Sequence, residues 1–160
     1  MTRLDPHETV WYHGTAASDW MARLVQHEEI YNETPLIHVG TQRAAYERLH
    51  DQIRFLLGNG SSNMHIYRLR LSANAVIHPE TAFDDGLDTW QTTRDELLDH
   101  YRTNVDGVMY QNTCEDRGSY SLLVAYDQIE VVDEVLVDAF EVRSFLGFIT
   151  EEEMLESMMA

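Results

Sequence analysis

The stretch Val10-Trp11-Tyr12-His13-Gly14-Thr15 constrains this chain more than any other. An apolar, aromatic run stops abruptly in His-Gly-Thr, close to the start of the chain. Val, Trp, Tyr and Thr favour a pleated, half-buried surface, so residues 9–13 are expected to form a short buried strand. Its end delivers an imidazole to the lip of a pocket, beside a residue with no Cβ. There a planar ligand can lie against the backbone, whose N–H and C=O can pair with an amide. The plainer reading is a strand ending in an ordinary turn, with His13 merely packed.

The rest of the chain supplies enough apolar residues to enclose such a pocket. Hydrophobic residues make up 44% of 160 residues, which suits one packed core and hence a single domain over 1–160. No apolar run approaches the ~18 residues needed to span a bilayer, so no membrane partner is expected. The first six residues show no basic region leading into an apolar one, so no signal peptide is expected either. Cys114 is the only cysteine, which rules out an internal disulfide and points to a reducing, cytoplasmic setting. That cytoplasm would be a host cell's if a phage encodes the chain. The 28 acidic residues outnumber 11 basic ones, all arginine, for a net charge of −17. Such a surface opposes phosphate backbones and anionic lipid, and it can serve solubility or imitate nucleic acid toward a basic partner.

Periodicity orders the elements. Ser18 can cap a helix over 19–27, with Trp20, Leu24 and Val25 on its apolar side. Residues 36–39 read as a second strand ended by Gly40. Thr41 caps a stronger helix over 42–57, with Ala45, Leu49, Ile53, Leu56 and Leu57 at helical spacing, and Gly58 stops it before a loop. Residues 65–71 alternate, with Tyr67, Leu69 and Leu71 on one face and Arg68 and Arg70 on the other, as in a half-exposed strand. Residues 75–77 continue extended to Pro79, and an acidic loop and a helix over 93–102 follow. Strands are expected at 107–110, 120–126 and 129–137. The acidic tail, about 138–160, ends in a short helix over 150–160. Helices early and strands clustered late suggest α+β.

Several motifs stand in a telling order. His13-Gly14-Thr15 is followed by His38-Val39-Gly40-Thr41 and then by Gln42 to Arg48, which includes Tyr46. His78-Pro79-Glu80, Asp84-Asp85 and Trp90 come next, then Asp106 to Asn112, and last Glu115-Asp116-Arg117-Gly118-Ser119-Tyr120-Ser121-Leu122-Leu123-Val124. This succession, spanning about residues 9–135, resembles the ADP-ribosyltransferase superfamily, in its small phage- and mobile-element-associated branch with a histidine-tyrosine-glutamate type of site. The resemblance implies a split antiparallel β core with peripheral helices and NAD as substrate. It implies that His13 hydrogen-bonds the adenosine ribose and that the backbone at Gly14, with Thr15 alongside, grips the nicotinamide carboxamide. Tyr46 would stack on nicotinamide, although the helix repeat equally suits a core aromatic. Glu115 would be the catalytic carboxylate, with Asp116 as its competitor. Many relatives carry the acid on the strand itself, where this chain has Ser119, Ser121 and Leu122. His38 reads as a satisfied core histidine or a second wall of the pocket.

The chemistry has a physical logic. Breaking the nicotinamide–ribose bond develops positive charge on the sugar, which a nearby carboxylate stabilises. The acceptor is a protein, a nucleic acid or water, the last making the chain an NAD glycohydrolase. An arginine patch on one helix, Arg43, Arg48 and Arg54, could receive nucleic acid. The competing class is a catalytically silent, acidic binding or inhibitor protein on the same fold. Eight scattered histidines contain no His-Glu-x-x-His and no cysteine pair, so no metal is expected. Acidic neighbours disfavour a Cys114 thiolate. Asp84-Asp85 with Asp88 lacks calcium-loop spacing. The chain has no P-loop, no Gly-x-Ser-x-Gly elbow and no dinucleotide-binding glycine motif.

Overall fold

The computed structural model describes residues 4–16, 19–32, 34–55, 64–79, 106–112 and 115–147. In chain order these form β1 (Trp11–Thr15), α1 (Trp20–Tyr31), β2 (Leu36–Val39), α2 (Gln42–Phe55), β3 (Met64–Leu71), β4 (Ile77–Pro79), β5 (Gly107–Gln111), β6 (Tyr120–Ala125), β7 (Ile129–Val137) and α3 (Ala139–Leu146). A 3-10 turn at Tyr126–Gln128 joins β6 to β7. The architecture is α+β, with two small sheets. One runs β1-β3-β7 and is antiparallel throughout; the other runs β2-β6-β5-β4 and is antiparallel except for the parallel β4–β5 pair.

Among the described residues, the two sheets meet at one backbone bridge. Tyr12 N donates to the Gly40 carbonyl at 2.8 Å, and Gly40 N donates back to the Tyr12 carbonyl at 2.9 Å. A Cβ on Gly40 would sit 2.9 Å from Ser121 Oγ, so the absence of a side chain lets the end of β2 close on its neighbour. The core is split accordingly. Trp11, Tyr67, Leu69 and Leu71 on one face of the first sheet pack with Trp20, Ile37, Val39, Leu122 and Val124. On the opposite face Met64 and Ile66 pack with Ala45, Tyr46 and Leu49 of α2 and with Val142 and Leu146 of α3.

Several expectations change in this frame. β3 is not a half-exposed strand: it lies between β1 and β7, and helices cover the face that carries Met64 and Ile66. The outward pattern survives only at Arg68, which pairs with Asp133 of β7, and at exposed Arg70. α1 runs a turn past His27, because Asn32 adopts a left-handed φ of 52° and donates its N–H to the Glu28 carbonyl at 2.8 Å. α3 is an element the periodicity argument missed. The Asp138 side chain accepts from Glu141 N at 2.8 Å, and Gly147 at φ 73° ends the helix.

The Ser18 cap, the Gly58 stop and its loop, the acidic loop with Asp84, Asp85, Asp88 and Trp90, the helix over 93–102, Cys114 and the tail over 150–160 lie outside the described residues. No helix among the described residues is long and apolar enough to cross a membrane.

Candidate functional site

Where the two sheets diverge from the Tyr12–Gly40 bridge, they open a cleft of about 460 Å³. Its walls come from the end of β1, the start of α1, β2, the inner face of α2, and the β5–β6 connection. His13, Gly14, Thr15, His38 and Glu115 all line it.

His13 is fixed on two sides. Its ring stacks on Trp20 at 4.3 Å and 15°. Its Nδ1 lies 2.7 Å from the His38 carbonyl, which can only accept, so Nδ1 carries the proton. Burial pushes the His13 pKa down to about 4; the His38 hydrogen bond opposes that shift, and the Arg48 charge adds to it. At neutral pH the ring is therefore uncharged, with Nε2 an acceptor. His38 is also neutral. Burial, then the Arg48 charge and His13, pull its pKa down to about 3, and a 2.5 Å hydrogen bond joins its Nδ1 to the Tyr110 hydroxyl. His38 thus lines the cleft while its ring is hydrogen-bonded within the wall.

Gly14 has a different reason from the expected one. A Cβ there would lie 2.6 Å from the Ala45 carbonyl oxygen and 2.9 Å from Leu49 Cγ. The missing side chain thus seats α2 against β1 rather than making room for a ligand. That contact brings Ala44, Ala45, Arg48 and Gln52 to the cleft.

Tyr46 does not line the cleft. It packs among Leu49, Met64, Ile66 and Val142, and its ring stacks on Phe145 of α3 at 3.9 Å and 13°. The helix repeat sets this: Tyr46 shares a face with Leu49, whereas Ala44, Arg48 and Gln52 fall on the turn of α2 toward the cleft. The tyrosines that stand at the cleft are Tyr12 and Tyr110, the latter only 1% exposed.

The two competing acids separate. Glu115 lines the cleft, and its amide donates to Asn112 Oδ1 at 2.8 Å. The Asn112 Nδ2 in turn donates to Ser121 Oγ at 2.9 Å. Asp116, with a left-handed φ of 44°, turns to α2 instead: its carboxylate accepts the Thr41 hydroxyl at 2.5 Å, and its amide donates to Glu47. Asp116 thus clasps the loop to the start of α2, and Asn112 holds Glu115 from the other side. Ser121 shares the cleft wall, while Ser119 and Leu122 do not.

The expected arginine patch is divided. Arg43 is engaged at the surface with Glu47, and Arg48 turns into the cleft. Nothing is described of the Arg54 side chain. Gln52, Tyr110 and Asn112 had no assigned role from sequence, and Arg48 had one only in the arginine patch. The spacing of Arg48 and Gln52 from Ala44 and Ala45 carried the only signal, because i, i+4 positions share a helix face. Among the described residues, no three His, Cys, Asp or Glu side chains gather where a metal ion could be held. The sequence matches no protein-family model and no curated protein.

Proposed function

We propose that this chain is an NAD-dependent ADP-ribosyltransferase with the split core of that superfamily, moving ADP-ribose from NAD to a protein or nucleic-acid acceptor and releasing nicotinamide. The observation that carries the reading is the convergence of His13 and Glu115 on one cleft. Its volume of about 460 Å³ lies within the range of pockets that bury small ligands. The fit rests on donor and acceptor chemistry. His13, held by Trp20 and the His38 carbonyl, offers Nε2 to a ribose hydroxyl. Glu115 offers the negative charge that a sugar ring needs as its bond to nicotinamide breaks. Nicotinamide leaves with the bonding electron pair as a neutral pyridine, the acceptor's oxygen or nitrogen bonds to the sugar carbon, and the acceptor's proton is lost to solvent. The fixed ring and the clasped loop supply these groups without reorganisation, which is what electrostatic catalysis rewards. With Tyr46 in the core, Trp20, Tyr12 and Tyr110 supply the aromatic surface of the site.

The test is nicotinamide release from NAD, with and without a cell extract as acceptor source, by the wild type, His13→Ala and Glu115→Gln. Loss of one preorganised electrostatic group costs about 10²–10³-fold in rate, and both variants are expected to fall by that order. Release that needs no extract identifies NAD hydrolysis with water as acceptor. No release and no NAD binding under either condition would refute the transferase reading. The acidic binding protein, favoured by the net charge of −17, would take its place.

A further inference from the structure

Two buried polar atoms on the α2 wall of the cleft have no hydrogen-bond partner among the described residues: Arg48 Nε and Gln52 Oε1. They are one helical turn apart on the same face, about 5–6 Å between their Cβ atoms. Burying a guanidinium N–H and an amide oxygen unpaired is unfavourable, and native proteins seldom keep such groups without a use. Other arginines of the chain are matched to acids: Arg23 with Asp19, Arg43 with Glu47 and Arg68 with Asp133. In a chain with 28 acidic residues, an arginine of the cleft wall whose buried Nε has no acceptor among the described residues stands out.

We infer that Arg48 and Gln52 form a subsite for a phosphorylated sugar, with the phosphate on Arg48 and a neighbouring sugar hydroxyl donating to Gln52. The chemistry selects this class. Arg48 Nε can only donate, so it takes an anionic oxygen. Gln52 Oε1 can only accept, so the same ligand must also bring a donor, which a carboxylate lacks and a sugar hydroxyl supplies. The planar guanidinium suits a phosphate. The surrounding charge sharpens the argument, because a chain at −17 repels anions and needs a dedicated cation to admit one. His13 and His38 stay neutral beside Arg48, so they neither compete for the anion nor add to its attraction. The inference rests on the transferase reading for the identity of the whole ligand, and it adds which residues meet its phosphorylated part.

The probes are AMP and adenosine, titrated by calorimetry into the wild type, Arg48→Met, Arg48→Lys and Gln52→Leu, with NAD consumption measured separately. AMP is expected to bind the wild type at least tenfold more tightly than adenosine. Arg48→Met should bring AMP down to the adenosine affinity while leaving adenosine unchanged. Arg48→Lys should restore part of the preference, and Gln52→Leu should weaken both probes alike. Arg48→Met should melt no lower than the wild type, because it removes an unpaired buried donor. If it does not fold, the wild type's preference for AMP must still shrink as salt rises. No preference in the wild type, no measurable binding of either probe, or a preference that survives Arg48→Met would overturn the subsite. Arg48-dependent AMP binding without NAD consumption would sink the transferase reading and leave the subsite standing. NAD consumption indifferent to Arg48→Met would do the reverse.

Discussion

Gly14→Ala tests the contact on which the cleft is built. The new Cβ would lie 2.6 Å from the Ala45 carbonyl oxygen, where ordinary contact begins at 3.4 Å, a shortfall of about 0.8 Å. That oxygen belongs to the backbone of α2, so no rotamer change relieves the clash; the helix must move away from β1. Leu49 Cγ, 2.9 Å from the same point, is part of a residue that is 0% exposed and has little room to retreat. Overpacking of this kind costs about 1–3 kcal/mol. For a chain of this size each kcal/mol lowers Tm by roughly 2–4 °C, so a fall of roughly 2–12 °C is expected in thermal melts followed by circular dichroism. The double variant Gly14→Ala/Leu49→Ala separates the two contacts. Removing the leucine side chain alone costs about 2–5 kcal/mol. It should not rescue Gly14→Ala, because the clash with the Ala45 carbonyl stays. The coupling in the cycle should therefore be small beside the cost of either single change. A Gly14→Ala variant that melts within 1 °C of the wild type would refute this account of the β1–α2 contact.

Two further outcomes follow from the same geometry. In the fold, His13 and His38 stay neutral down to about pH 4 and about pH 3, whereas their unfolded counterparts take up protons near 6.5. The unfolded chain thus binds more protons in that window. Stability should be full above pH 6.5 and fall as pH drops toward 4, by up to about 1.4 kcal/mol per pH unit for each histidine. Urea midpoints at pH 7.5, 6 and 5 read this directly; equal midpoints would contradict neutral burial of the pair. Tyr46→Leu removes the stack on Phe145 and should destabilise the fold by on the order of 2 kcal/mol. It should leave NAD affinity within twofold by calorimetry, and a tenfold loss would put Tyr46 against the ligand after all.

The parts of the fold visible in the sequence are those with a strong local period. β2 and β7 fall on the expected residues, and α2 begins where Thr41 suggests, with Thr41 Oγ1 accepting from Ala44 N at 3.1 Å. The misses share a cause. β3 alternates as a half-exposed strand should, yet only Arg68, paired with Asp133, and exposed Arg70 follow that pattern, while helices cover Met64 and Ile66. Alternation reports which residues share a face and is silent on what covers it. α3 was missed although Asp138, Glu141 and Gly147 spell its two ends, because eight residues give too few turns for a period to emerge.

The site divides along the same line. His13 could be singled out locally, because a strand of large apolar residues ending in His-Gly-Thr is unusual at the level of a few letters. Glu115 against Asp116 could not, since adjacent acids on a loop look alike until something turns one of them away. Here that agent is distant in sequence: Thr41, just before α2, and Glu47 on α2 take the Asp116 carboxylate and amide, and Asn112 takes the Glu115 amide. Tyr46 and Arg48 make the point in reverse. Both lie on one helix two residues apart, a rotation of about 200° at 3.6 residues per turn, so one can face the cleft only if the other does not. Gly14 decides which, because its missing Cβ presses the Ala45–Leu49 face of α2 onto β1. That contact sends Tyr46 to Phe145 and turns Arg48 into the cleft. The glycine beside His13 thus shapes the site by aiming a helix.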